Sequence, residues 1–133
     1  MGDFAEAVAA RGNAFAGLTA LIGTRLEPQL AAGQVTEPYA VYTIVSRPPS
    51  HRMRSDKDAW ARIQIDCWGR TPDEARDVAA QVVACFDRWP PGDYATVPIR
   101  GSICEDRGRD TGYDDVTTLY GHVVEFRVMY GLS

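Results

Sequence analysis

At 133 residues, 45% hydrophobic and 24% charged, the chain has the composition of one soluble globular domain with a core of its own. Its net charge of −4 argues against a general nucleic-acid binder. No run approaches the roughly 18–20 apolar residues that a membrane span needs, and the acidic start MGDFAEAV predicts no secretory leader.

Residues 3–17 read as a helix, with Asp3 as cap, Glu6 three residues later, and Phe4, Val8 and Phe15 on an apolar face. Arg11 interrupts that face, and Gly12 weakens the helix. Thr19 to Gly23 reads as a second helical turn ended by glycine. Thr24 to Pro28 is a short extended piece, and Leu30 to Glu37 a loop. Pro38 to Ser46, rich in Tyr, Val and Ile, is strand-like.

The segment 47–58 separates two strand patterns and reads as a long arm. Its cations Arg47, Arg52, Arg54 and Lys57 outnumber Asp56 and Asp58 to give +2, which leaves −6 for the rest of the chain. It is either a solvated loop or a docking arm onto an acidic partner.

The firmest unit follows. From Trp60 to Trp68, Ala61, Ile63, Ile65 and Cys67 point one way and Arg62, Gln64, Asp66 and Trp68 the other, the period-two signature of a half-buried strand. Thr71-Pro72-Asp73-Glu74 then opens a helix: Thr71 caps, Pro72 sits where its missing N–H costs nothing, and Glu74 closes a capping box. Ala75, Val78, Ala79, Val82 and Phe86 share one face of it.

Trp89-Pro90-Pro91-Gly92 stops the helix, and Val97 to Ile103 is a strand. Glu105 to Thr118 shows no clear period and reads as a solvated acidic loop carrying Asp106, Asp110, Asp114 and Asp115. The spacing of a calcium-binding EF-hand is absent from it. Leu119 to Tyr130 closes the chain as a strand, with Val124, Phe126 and Val128 on one face and Val123, Glu125, Arg127 and Met129 on the other. The sum is an α+β domain over residues 1–133: an antiparallel or mixed sheet of about four strands packed against two main helices, with the arm at 47–58.

Little in the sequence points to catalysis. His51 and His122 have no neighbour at metal-ligand spacing, and phosphate-binding, dinucleotide-binding and serine-hydrolase signatures are missing. Cys67, Cys85 and Cys104 are too few and too widely spaced for a disulfide framework and read as small buried thiols.

Three stretches together, PYAVYTIVSRPP, ARIQIDCWGRTPDEARDVAAQV and LYGHVVEFRVMY, resemble the first strand, the central strand and helix, and the closing strand of the small tail-completion and tail-terminator proteins of long-tailed phages and phage-derived gene transfer agents. The resemblance covers nearly the whole chain and is structural rather than catalytic. It implies a homo-hexameric ring that caps the finished tail tube and joins it to the head. It implies the tail-tube protein and a head–tail connector or stopper protein as partners, with DNA passing through the ring without specific binding.

No cofactor, metal, membrane or enzymatic activity is implied. The location implied is the head-proximal end of the tail in the virion, after assembly in the host cytoplasm. Within that picture Arg47, Arg52, Arg54 and Lys57 of the arm form one candidate partner interface, and Asp106, Asp110, Asp114 and Asp115 a second. A head-side neck connector ring, or a small phage-derived enzyme or ligand-binding domain on the same fold, is the alternative.

Overall fold

The computed structural model describes residues 4–23, 26–28, 38–46, 58–114 and 119–131. In chain order the elements are α1 (Phe4–Ala14), α2 (Ala16–Ile22), β1 (Leu26–Pro28), β2 (Tyr39–Ser46), β3 (Asp58–Gly69), α3 (Pro72–Phe86), β4 (Gly92–Tyr94), β5 (Val97–Asp114) and β6 (Leu119–Gly131). The strands form one sheet in the order β1-β2-β3-β6-β5-β4. The β1–β2 pair is parallel and every other neighbour antiparallel. The four expected strands are the four long ones; β1 and β4, three residues each, flank them at the edges.

The core lies between the sheet and the helices. Ala61, Ile63 and Ile65 of β3 stand opposite Val128, Phe126 and Val124 of β6, and all six are fully buried. Val78, Ala79, Val82 and Phe86 of α3 are buried against them, and Ala75 is buried as well. At about 1.5–3 kcal/mol for each large apolar side chain removed from water, this layer is the main favourable contribution to folding. Phe86 meets Trp89 edge-on, with centroids 5.5 Å apart, and Phe126 at 5.9 Å.

The start of α3 follows the local chemistry of its sequence. Thr71 is extended (φ −133°, ψ 157°), and its Oγ1 accepts from the Glu74 N–H at 3.0 Å. Glu74 Oε1 reaches back to the Arg70 N–H at 2.7 Å, one residue before the cap. Two donors at the helix start are thereby satisfied reciprocally.

At the other end the helix is fastened to β5. The Ser102 hydroxyl donates to the Phe86 carbonyl and accepts from the Trp89 N–H at 2.8 Å. The Cys104 N–H donates to Asp87 Oδ1 at 2.8 Å.

Two expectations are corrected. The helix over residues 3–17 is two helices: Phe15 is extended (φ −93°, ψ 109°), and α2 starts at Ala16 with no side-chain cap. Arg11 and Gly12, which looked like flaws, are packing devices. Arg11 Nε donates to the Cys85 carbonyl at 3.0 Å, tying α1 to the last turn of α3. A Cβ on Gly12 would come within 2.3 Å of Leu26 Cδ2, so glycine lets α1 approach β1 without displacing the Leu26 side chain.

The second correction concerns Glu105 to Asp114, which is strand, not loop. β5 shifts register against β6 between Ile99 and Gly101, Cys104 and Asp106, Asp106 and Arg109, and Asp110 and Gly112. Each bulge changes which face the next residues occupy, so the two-residue period that marks a strand does not survive in the sequence.

Candidate assembly surface

α1, α2 and α3 all pack on one face of the sheet. The opposite face carries Tyr39, Val41, Leu119 and Trp68 as a small apolar cluster toward one end. Toward the other end lies an open surface built by the outward positions of β3, β5 and β6.

Alternation on β3 places Trp60 and Arg62 on this surface, and the register places Met129 and Arg127 of β6 opposite them. Ile103 of β5 stands opposite Arg127. Ile103 is 58% exposed and Met129 42% exposed, unusual for side chains of this kind. Glu105 Oε1 accepts from Arg62 Nε at 3.2 Å, and Glu105 Oε2 pairs with Arg127 at 2.9 Å. The Arg127 guanidinium also lies 4.5 Å from the Trp60 ring centroid, a cation–π contact that orders both side chains.

Trp60, Arg100, Gly101, Ser102, Ile103, Arg127 and Met129 line a groove of about 410 Å³. An apolar floor with Trp, Met and Arg is the composition of the buried centre of a protein–protein interface.

The residues singled out from sequence fall differently. Arg47, Arg52, Arg54 and Lys57 lie outside the described residues, as does Asp115. Asp106 and Asp114 belong to β5. Asp110 faces the helix layer: its Oδ2 holds Arg76 of α3 at 2.7 Å, and its Oδ1 lies 2.8 Å from His122 Nδ1 on β6. Hydrogen bonds from Arg76 and then His122 hold its carboxyl at about 2, below the ordinary 3.8. Asp110 therefore ties α3 to β5 and β6.

Neither Cys67 nor Cys85 offers that Asp–His pair a reactive thiol. Cys67, opposite His122 in register, is fully buried, and burial, with Asp66 adding, pushes its thiol far above the ordinary range. Burial also pushes Cys85 up to about 12, against the opposing pull of Arg11. Among the described residues no group of His, Cys, Asp and Glu is placed to hold a metal ion, and no helix is long and apolar enough to cross a membrane.

The groove was not flagged from sequence. Its available signal was Met129 and Arg127 on the outward side of the last strand, where a wholly solvated face would be more polar.

Two comparisons bear on identity. A chain of the virion of a native gene transfer agent particle has the same fold, with a TM-score of 0.75 at 16% identity over 98% of this chain and 100% of that one. No curated protein matches by sequence. The sequence profile of the tail completion protein gp17 family matches residues 6–131. The chain thus belongs, from Glu6 to Gly131, to the tail completion protein gp17 family, and is a structural protein of a phage-type tail.

Proposed function

We propose that copies of this chain form a ring that completes the tail tube at its head-proximal end and joins it to the head. The observation that carries this reading is the sheet face on which no helix packs among the described residues, where Trp60, Ile103 and Met129 are presented to a partner beside ordered arginines. Family membership supplies the tail, and the likeness to a chain of a gene transfer agent virion is in keeping with it. The net charge of −4 suits a ring through which DNA passes without sticking, because phosphates find no excess of cations to displace their counterions.

In this reading the ring meets the tail-tube protein on one side and a head–tail connector on the other. The basic arm, with Arg47, Arg52, Arg54 and Lys57, docks on a carboxylate-rich surface of one of them. The test is native mass measurement of the purified chain alone and with tail-tube protein. A closed ring that binds the end of the tube is expected. A chain that stays monomeric with tubes present, and leaves their length unregulated, contradicts the proposal.

A further inference from the structure

The chain carries a second groove whose charge is the inverse of the first. It lies in the helix layer, has a volume of about 350 Å³, and is lined by Ala20, Leu21, Pro38, Thr71, Asp73, Glu74, Asp77 and Val78. Among the described residues its charged lining consists of three carboxylates, Asp73, Glu74 and Asp77. Among the described residues the charged lining of the groove on the sheet face is Arg100 and Arg127, the latter also paired with Glu105.

The two grooves sit on opposite sides of the sheet and at opposite ends of β3. Trp60 is near the start of that strand, and Thr71 lies two residues beyond its end at Gly69. At about 3.3 Å per residue they are roughly 30 Å apart.

We infer that the basic, apolar groove around Trp60, Ile103 and Met129 receives the acidic corner at the start of α3 from a second copy of the chain. This rests on the ring reading above, and names the surfaces that would build the ring.

The charges select the pairing. Two basic grooves brought face to face set arginine against arginine, and two acidic ones set carboxylate against carboxylate. Glu105 beside the basic groove and Arg76 beside the acidic one soften these contrasts, and the balance still favours the unlike pair over either self-match. A contact between two different patches of one chain is heterologous, and repeats of it close into a ring when the rotation allows.

Shape agrees with charge. Thr71, Pro72 and Asp73 are exposed, and the Asp73 side chain is 91% exposed, so the rim of the acidic groove is open to contact from a neighbouring copy. Pro72 would pack on the apolar floor of the basic groove, with Asp73 and Asp77 meeting the arginines. The arm is a poor occupant of the same groove, because its charge of +2 would oppose that of Arg100 and Arg127.

The experiment uses the full chain and charge exchange. Arg127→Glu reverses the basic groove; Asp73→Arg with Asp77→Arg reverses the acidic corner. Ile103→Asp is a second way to spoil the basic groove, and leaves the Arg62–Glu105–Arg127 contacts in place. Each variant is first checked for an unchanged melting profile, then for assembly by sedimentation.

Each alone is expected to lose assembly at concentrations at least tenfold above those at which the wild type assembles. An equimolar mixture of the Arg127→Glu and Asp73→Arg/Asp77→Arg chains is expected to regain it, because each groove again meets its opposite in an alternating ring. If wild type assembles and the folded single variants assemble equally well, these surfaces are wrong while the ring reading stands. The surfaces are likewise overturned if the mixture gives no rescue. If wild type itself never assembles, with or without tail-tube protein, the ring reading fails and the inference falls with it.

Discussion

The imidazole of His122 occupies the space that a side chain on Gly108 would need: a Cβ there would lie 2.3 Å from His122 Nε2 and 2.9 Å from Val124 Cγ1. Gly108 sits at φ +119°, inside the register shift of β5 between Asp106 and Arg109, a conformation that L side chains rarely adopt. The bulge therefore needs glycine twice over, for the backbone and for the ring that crosses it. Gly108→Ala is expected to destabilise the fold by about 1–3 kcal/mol, read as a Tm lowered by several degrees with the transition still cooperative. An unchanged Tm would mean that β5 is re-registered or that His122 moves aside at no cost.

Acid should loosen the tie between α3 and the β5–β6 pair. Asp110 has its carboxyl held at about 2, below 3.8. A depressed carboxyl contributes stability that is present above the unfolded value and is lost as pH falls through the folded one. The contribution is therefore full at neutral pH and fades between pH 4 and pH 2. Tm measured against pH for wild type and Asp110→Asn is expected to show the wild type higher at pH 5–7, with the two curves converging toward pH 2. Parallel curves across that range would remove Asp110 from the acid response.

Ser102 joins the end of α3 to β5 through one hydroxyl, which donates to the Phe86 carbonyl and accepts from the Trp89 N–H. Ser102→Ala leaves both backbone groups without that partner, a cost of about 1–3 kcal/mol. Denaturant titration should give a lower midpoint at unchanged slope, since the surface exposed on unfolding is the same. A midpoint equal to wild type would show that water replaces the hydroxyl without loss.

These ties also mark where sequence reading succeeds and where it stops. The β3–α3 unit was legible because every local signal agrees: alternation from Ala61 to Cys67, the Thr71-Pro72-Asp73-Glu74 start, and one apolar helix face, all buried as expected. The split of the first helix at Phe15 was not legible, since no proline marks it and no side chain caps α2. The strand from Glu105 to Asp114 was hidden because its bulges erase the period by which strands are recognised.

The groove on the sheet face was hidden for a different reason. Trp60, Ile103 and Met129 come from three strands, and only the register brings them together. Ser102 and Phe86 likewise meet across 16 residues, a distance over which no local pattern speaks.

The arm enters through charge alone. Arg52→Glu with Arg54→Glu turns its net charge from +2 to negative. The double variant is expected to melt like wild type, yet to give particles with unattached or irregular tails in electron micrographs. Normal tails joined to heads would remove the docking role and leave a solvated loop.

The most direct measurement is a three-dimensional reconstruction of intact particles that contain the chain. A ring of its copies is expected between the last ring of the tail tube and the head, with the sheet face around Trp60 and Met129 buried in contacts between subunits. Density for the chain elsewhere in the particle, or complete tails joined to heads when the chain is deleted, would contradict its role as the ring that completes the tail.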